Sequence, residues 1–152
     1  MKILFVCHGN ICRSTMAEFV MKKLVKDAGL DDRIEIASAA TSREELGNDT
    51  HYGTKGVLDS HGIPYTKRRA RQITRADYDE YDYIIGMDRY NMSNMRRAFG
   101  GDPEDKLSMM MQWAGYDRDV ADPWYTGDFE TTFDDVEAGC IALLEHIKRH
   151  YC

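Results

Sequence analysis

Cys7, Arg13 and Asp122 are the residues on which this chain could build covalent chemistry. The first two lie in Val6–Ser14, VCHGNICRS, with five residues between them. A cysteine thiolate is a nucleophile, and a planar guanidinium can hold two phosphoryl oxygens at once. His8, Gly9, Asn10, Ile11 and Cys12 would form the loop between them, with backbone N–H groups turned toward an anion. Gly9 leaves room for a ligand to approach the backbone, and Asn10 tolerates a left-handed φ. Ser14 can cap the helix that follows or donate its hydroxyl to the Cys7 sulfur. The C-x5-R spacing alone is weak, because a chain with four cysteines and many arginines meets it by chance.

A thiolate that displaces the alkoxide or phenolate of a phosphate ester needs an acid to protonate the leaving group. Asp122, in Val120-Ala121-Asp122-Pro123-Trp124-Tyr125, is the best candidate. Pro123 stiffens the backbone beside it and biases Asp122 toward an extended conformation. Trp124 and Tyr125 could wall a flat leaving group. In isolation, Asp-Pro is usually a turn and adjacent aromatics are usually core.

These residues need elements to position them. Ile3–Val6 is a short apolar run, suited to a strand buried on both faces and ending at Cys7. Met16, Ala17, Val20, Met21, Leu24 and Val25 then recur at helical spacing. A strand, a glycine loop and a helix N-terminus together make an anion site whose field favours Cys7 as thiolate. Further on, the pattern predicts a strand over Ile34–Ala39, a polar loop over 40–50 and a helix over Tyr52–Gly62. Thr74 resembles an N-cap, with Asp77 three residues on. Tyr81–Met87 reads as a strand, Tyr90–Phe99 as a helix stopped by Gly100-Gly101, and Leu107–Met111 as a weaker strand. The clearest element is a long helix from Phe129, capped by Asp128, whose one face carries Phe133, Val136, Cys140, Leu143, Leu144 and Ile147.

Alternating strands and helices imply an α/β fold, a parallel sheet with helices on both faces. Ligands bind such sheets beyond the carboxyl ends of the strands, where this reading places Cys7, Ser38 and Asp88. At 152 residues the chain is expected to be one domain, 1–152, burying roughly 70% of its unfolded surface. Its net charge of −6 argues against nucleic acid as a partner. It lacks a signal-peptide pattern and any apolar run long enough to span a membrane. The cysteines (7, 12, 140 and 152) do not read as a disulfide framework, nor do they and the scattered histidines read as a metal site. The expectation is a cytoplasmic monomer without metal or cofactor.

With these residues in place a resemblance is plain. VCHGNICRS, the late Asp122-Pro123-Trp124-Tyr125, Ala70-Arg71-Gln72 and Tyr83–Asp88 are together similar to the low-molecular-weight protein tyrosine phosphatase family. The resemblance covers essentially the whole chain. It implies a three-layer sandwich with a central four-stranded parallel sheet, and metal-independent hydrolysis of protein phosphotyrosine, with inorganic phosphate as product. Cys7 would attack phosphorus and Asp122 would protonate the tyrosyl oxygen, then deprotonate the water that cleaves the cysteinyl-phosphate. Arg13 and the loop amides would stabilise the equatorial oxygens. Ser14 would stabilise the departing sulfur, Asn10 would hold the loop through Ser14 and Ser38, and Asp88 would orient Arg13. Cys12 matches a second loop cysteine able to pair with Cys7 under oxidation. Cys7 ionised and Asp122 protonated together predict an optimum on the acidic side of neutrality.

Several positions depart from the family's commonest pattern. His8 replaces a leucine, and Thr15 replaces a proline that would preset φ. Glu44 and Glu45 stand at the substrate cleft where many members carry an aromatic, and Arg68 stands where some carry a histidine. The run Lys67–Arg71 reads as a solvated face, with a smaller chance of attracting acidic phosphopeptides, and Met109–Met111 read as packing. Three other readings compete. An arsenate reductase would need cysteines in the middle of the chain, and none lies between Cys12 and Cys140. A protein-arginine phosphatase would carry threonine at Ile11. A phosphate-binding regulatory module would need neither nucleophile nor acid.

Overall fold

The computed structural model describes residues 1–151; Cys152 lies outside the described residues. Four strands, β1 (Lys2–Cys7), β2 (Glu35–Ala40), β3 (Tyr83–Gly86) and β4 (Leu107–Met109), form one parallel sheet in the order β2-β1-β3-β4. Seven helices complete the described chain: α1 (Arg13–Asp27), α2 (Tyr52–Ser60), α3 (Arg75–Glu80), α4 (Arg89–Phe99), α5 (Met110–Trp113), α6 (Pro123–Thr126) and α7 (Phe129–Tyr151).

The alternation of side chains along a strand sorts the two cores. Ile3, Phe5 and Cys7 of β1 face one way, into a cluster with Met16, Val20, Leu58, Met110, Phe133, Val136 and Leu143 from α1, α2, α5 and α7. Leu4 and Val6 face the other way, against Ile73, Tyr78, Met92, Met95 and Phe99 around α3 and α4. Residues 3–6 are 0% exposed, so the central strand is apolar throughout rather than alternating. The result is the expected sheet with a helical layer on each face.

Order 2-1-3-4 places a switch point between β1 and β3, where the chain crosses from one side of β1 to the other. Val6 pairs with Gly86 there, and Cys7 pairs with Ala40 on the opposite edge. The loops after β1, β2 and β3 therefore open on the same crevice.

Most predicted elements are present with small shifts. The second strand runs from Glu35 to Ala40, and α2 ends at Ser60, with Gly62 at φ 69° beyond it. The third strand is shorter than Tyr81–Met87, because Tyr81 is the C-cap of α3 and its N–H donates to Asp77 O at 3.1 Å. Thr74 and Asp77 form the anticipated capping box, and Gly100 ends α4 in the left-handed region at φ 75°. Asp128 accepts from the Thr131 backbone N–H, as an N-cap should. The reading of Leu107–Met111 as one strand is corrected. Met110 and Met111 turn into α5, where both bury against α7 rather than extending the sheet.

Candidate active site

The loop between β1 and α1 is shaped by where its carbonyl oxygens go. Cys7 O accepts from Thr41 N at 2.9 Å, His8 O from Ser42 N and Oγ, Ile11 O from His51 N at 2.8 Å, and Cys12 O from Met16 N at 3.0 Å. A trans peptide places C=O and the following N–H on opposite sides of its plane. With these carbonyls tied to surrounding elements, the N–H groups of His8, Gly9, Cys12 and Arg13 turn the other way. Asn10 makes the bend at φ 59°, the left-handed conformation for which asparagine is suited. Thr15 compensates for the absent proline: its hydroxyl donates to Ile11 O and Cys12 O, at 3.2 and 3.0 Å.

Cys7 is 3% exposed at the floor of a cavity of about 110 Å³. Its Sγ accepts from Asn10 N at 3.3 Å and lies 3.0 Å from Ser14 Oγ. Ser14 does not cap α1; the N-cap position is Cys12 and makes no side-chain cap, so of the two roles anticipated for Ser14 only contact with the sulfur is realised. Asn10 Nδ2 donates to Ser14 Oγ and to Ser38 Oγ, each at 2.9 Å. Since Ser14 Oγ already accepts from Asn10, its own proton is available to a sulfur that has lost one.

Arg13 is 3% exposed, yet its charge is matched. Nη1 donates to Asp88 Oδ2 at 2.7 Å and to Val120 O at 3.0 Å, and Nη2 donates to Asp122 Oδ2 at 3.4 Å. Burial works against the guanidinium charge, but Cys7, Asp88 and Asp122 outweigh it and raise its pKa. Three of its five N–H groups are engaged by these protein acceptors, which leaves an edge for phosphoryl oxygens. Asp88 is itself fixed, because Oδ1 accepts from Asn91 N at 2.7 Å as the N-cap of α4.

Asp122 is the N-cap of α6, with Oδ1 accepting from Trp124 N at 3.0 Å and its backbone extended at ψ 113°, as the following proline requires. Trp124 and Tyr125 line the cavity with Cys7, Arg13 and Asp122, and both are exposed rather than core. His51 packs behind this wall, edge-on to Trp124 and stacked on Phe129. Elsewhere on the lining, Glu44 Oε2 meets His8 Nε2 at 2.9 Å, and the Glu45 side chain lies close enough to Gly9 that a Cβ there would meet its Cγ at 3.3 Å. Ile11 and Cys12 complete the lining; burial, then the Cys7 sulfur, pushes the Cys12 thiol up to about 12.

The loop support extends past what the sequence anticipated. Arg68 Nη2 donates to Asn10 Oδ1, which also accepts from Arg71 N at 3.2 Å. Ser38 Oγ donates to Glu18, a buried carboxylate that pairs with Lys22 at 2.6 Å. The reading of Lys67–Arg71 as a solvated face is thus corrected. Arg68 holds the loop, Ala70 is buried, and Arg71 forms a two-point ion pair with Asp77 at 3.0 and 3.2 Å. Glu18 was missed altogether; its place on the apolar side of α1, one turn past Ser14, is the signal that could have found it.

Comparison with known proteins shows the family and the fold. Residues 2–151 match the family model for low molecular weight phosphotyrosine protein phosphatase. The chain is 37% identical over 149 residues to the low molecular weight protein-tyrosine-phosphatase YfkJ of Bacillus subtilis, covering 97% of this chain and 96% of that one. The crystal structure of YfkJ superposes with a TM-score of 0.96 at 36% identity, covering 100% of this chain and 97% of the other. The low molecular weight protein tyrosine phosphatase SP-PTP of Streptococcus pyogenes superposes at 0.85 with 41% identity, over 99% and 93% of the two chains. The Drosophila arginine phosphatase DARP superposes at 0.87 with 29% identity, over 97% and 98%. No helix of the described residues is long and apolar enough to cross a membrane. By family model, sequence and fold, the chain belongs to the low molecular weight phosphotyrosine protein phosphatases.

Proposed function

We propose that this chain is a single-domain, metal-independent phosphatase that hydrolyses protein phosphotyrosine and small aryl phosphates through a cysteinyl-phosphate. The observation that carries the reading is one cavity lined by Cys7, Arg13 and Asp122 together. The phosphate enters the loop, where the N–H groups and the free edge of Arg13 take its oxygens. The Cys7 sulfur attacks phosphorus, the P–O bond to the tyrosyl oxygen breaks, and Asp122 delivers its proton to that oxygen. Charge spread over three equatorial oxygens is what the amides and Arg13 stabilise, the largest electrostatic contribution in this class of transfer. In the second step Asp122 takes a proton from water as it attacks phosphorus, the S–P bond breaks, and Ser14 donates to the leaving sulfur. Asn10 and Ser38 keep Ser14 in place, and Asp88 keeps Arg13 in plane. A thiolate nucleophile suits a reducing compartment, so the cytoplasm is the proposed site of action, with the chain acting as a monomer.

The test is hydrolysis of p-nitrophenyl phosphate and of a phosphotyrosyl peptide in reductant and EDTA. Turnover of both supports the reading, and turnover of neither would sink it. Likeness to DARP makes phosphoarginine, a P–N phosphoramidate rather than an ester, the substrate to run alongside. Ile11, apolar at the cavity wall, favours the aryl ester, and faster release from phosphoarginine would reassign the substrate.

A further inference from the structure

Asp122 also borders a second cavity, about 510 Å³ in volume, that the proposed chemistry leaves unused. His8, Arg13, Asp122 and Tyr125 line both cavities, so the two are neighbours across a shared wall. The second is also lined by Asp88, Tyr90, Asn91 and Asn94 at the start of α4 and by Asp119 with the backbone that follows it. Tyr90 and Tyr125 are 80% and 84% exposed, two large aromatic faces bordering one hollow.

Charge decides what fits. Asp119 Oδ1 accepts from Arg89 N at 3.1 Å, and among the described residues no cationic side chain pairs with it. The two arginines beside it, Arg89 through its backbone contact and Arg118 as its neighbour in sequence, have their guanidinium groups committed to other carboxylates, Arg89 to Asp117 at 3.2 Å and Arg118 to both oxygens of Asp135. Arg13, the one lysine or arginine in either lining, is paired with Asp88 and Asp122 and reserved for phosphate. His8 is held by Glu44. A cation entering this hollow therefore meets the Asp119 carboxylate and two aromatic faces, whereas an anion meets no free cationic side chain, and the α4 N-terminus that borders the hollow is already capped by the Asp88 carboxylate. Consecutive Cα atoms are about 3.8 Å apart, so the neighbour of a phosphotyrosine seated over Cys7 reaches across the shared wall.

We propose that this hollow is a subsite for a lysine or arginine side chain adjacent to the phosphotyrosine of the same substrate. Asp119 is its charge partner, and Tyr90 and Tyr125 are its faces. The inference rests on the phosphotyrosine reading above and narrows it to substrates with basic flanks.

The experiment compares short phosphotyrosyl peptides that differ only in having Lys, Ala or Glu beside the phosphotyrosine, on either side, with p-nitrophenyl phosphate run in parallel. For the wild type, kcat/KM should favour Lys over Glu by about tenfold, from one exposed ion pair and one cation–π contact. Raising the salt to 0.5 M should shrink that ratio. Asp119→Asn keeps the acceptor for Arg89 N and should reduce the ratio to about twofold, and Tyr90→Ala should reduce it in part. A Lys preference that survives Asp119→Asn overturns the assignment and shifts it to Glu44 and Glu45. No preference, or a preference for Glu, with p-nitrophenyl phosphate still hydrolysed, overturns the subsite alone. Failure to hydrolyse any of these esters overturns the phosphatase reading instead.

Discussion

Arg68 and Asn10, 58 residues apart, are joined by a charge-assisted hydrogen bond from the guanidinium to the side-chain carbonyl. That contact decides which way the Asn10 amide faces. With Oδ1 receiving from Arg68 and Arg71 N, Nδ2 must donate, and its two protons go to Ser14 and Ser38. A residue outside the loop thus sets the hydrogen bonding of the hydroxyl beside the Cys7 sulfur.

Removing that contact should loosen the loop without touching phosphate directly. Arg68→Met is expected to lower kcat on p-nitrophenyl phosphate by about tenfold and stability by about 1.5–3 kcal/mol, the range for losing a hydrogen bond to a charged group. Arg68→Lys should recover part of the rate, because one donor is restored. Steady-state kinetics and thermal melts on both variants check this; unchanged kcat in Arg68→Met would show that Arg71 N alone holds Asn10.

Asp122 should matter in proportion to how poor the leaving group is. Asp122→Ala is expected to slow phosphotyrosine hydrolysis by about 10²–10⁴-fold, the usual range for general acid catalysis. The loss on p-nitrophenyl phosphate should be several-fold smaller, since p-nitrophenolate leaves without much help. Equal losses on the two esters would argue that Asp122 acts by holding α6 or Arg13 rather than by moving a proton.

The three described cysteines should differ in reactivity. Burial holds the Cys12 thiol up to about 12 and pushes Cys140 higher still, so both stay protonated near neutrality and their thiolate fraction rises only as pH climbs far above it. Brief iodoacetamide treatment of the folded protein at pH 7.5, read by peptide mapping, should label Cys7 and leave Cys12 and Cys140 unmodified. Labelling of Cys12 at a rate matching Cys7 would contradict this.

Asp49 links the loop after β2 to the segment around Arg68. Lys55 at 2.8 Å and the N–H groups of Thr50 and Arg68 hold its pKa down, from an ordinary 3.8 to about 2. A depressed carboxylate contributes stability that is present above its unfolded pKa and lost as pH falls through the folded one. The melting temperature of wild type should therefore fall between pH 4 and 2 more steeply than that of Asp49→Asn, whose curve lies lower at neutrality. Parallel curves through that window would show that the contact contributes no stability.

The elements themselves were legible because their signals are local. Residues 3–6 are apolar without interruption, α7 repeats its apolar face over six turns, and Gly100 and the Thr74–Asp77 box mark boundaries by backbone chemistry alone. Met110 and Met111 were misread because an apolar run looks alike in a buried strand and in a buried helical turn. Only the packing of α5 against α7 separates the two. Gly139 is part of that packing, since a Cβ there would meet the Met110 backbone oxygen at 2.8 Å.

Within the site, the groups present are readable from local spacing: a nucleophile and a guanidinium six residues apart, and an aspartate made extended by its proline. Short-range spacing carries that information because the loop is short. The network around them arises only when distant segments pack together. Arg13 reaches Asp88 across 75 residues and Asp122 across 109, and Asn10 reaches Arg68 across 58. Buried charges and amides must find partners, but which partner is set by the order of strands in the sheet, which brings three loop ends to one crevice. A run of arginines is indistinguishable from a solvated face until that convergence ties one of them, half-buried, to Asn10.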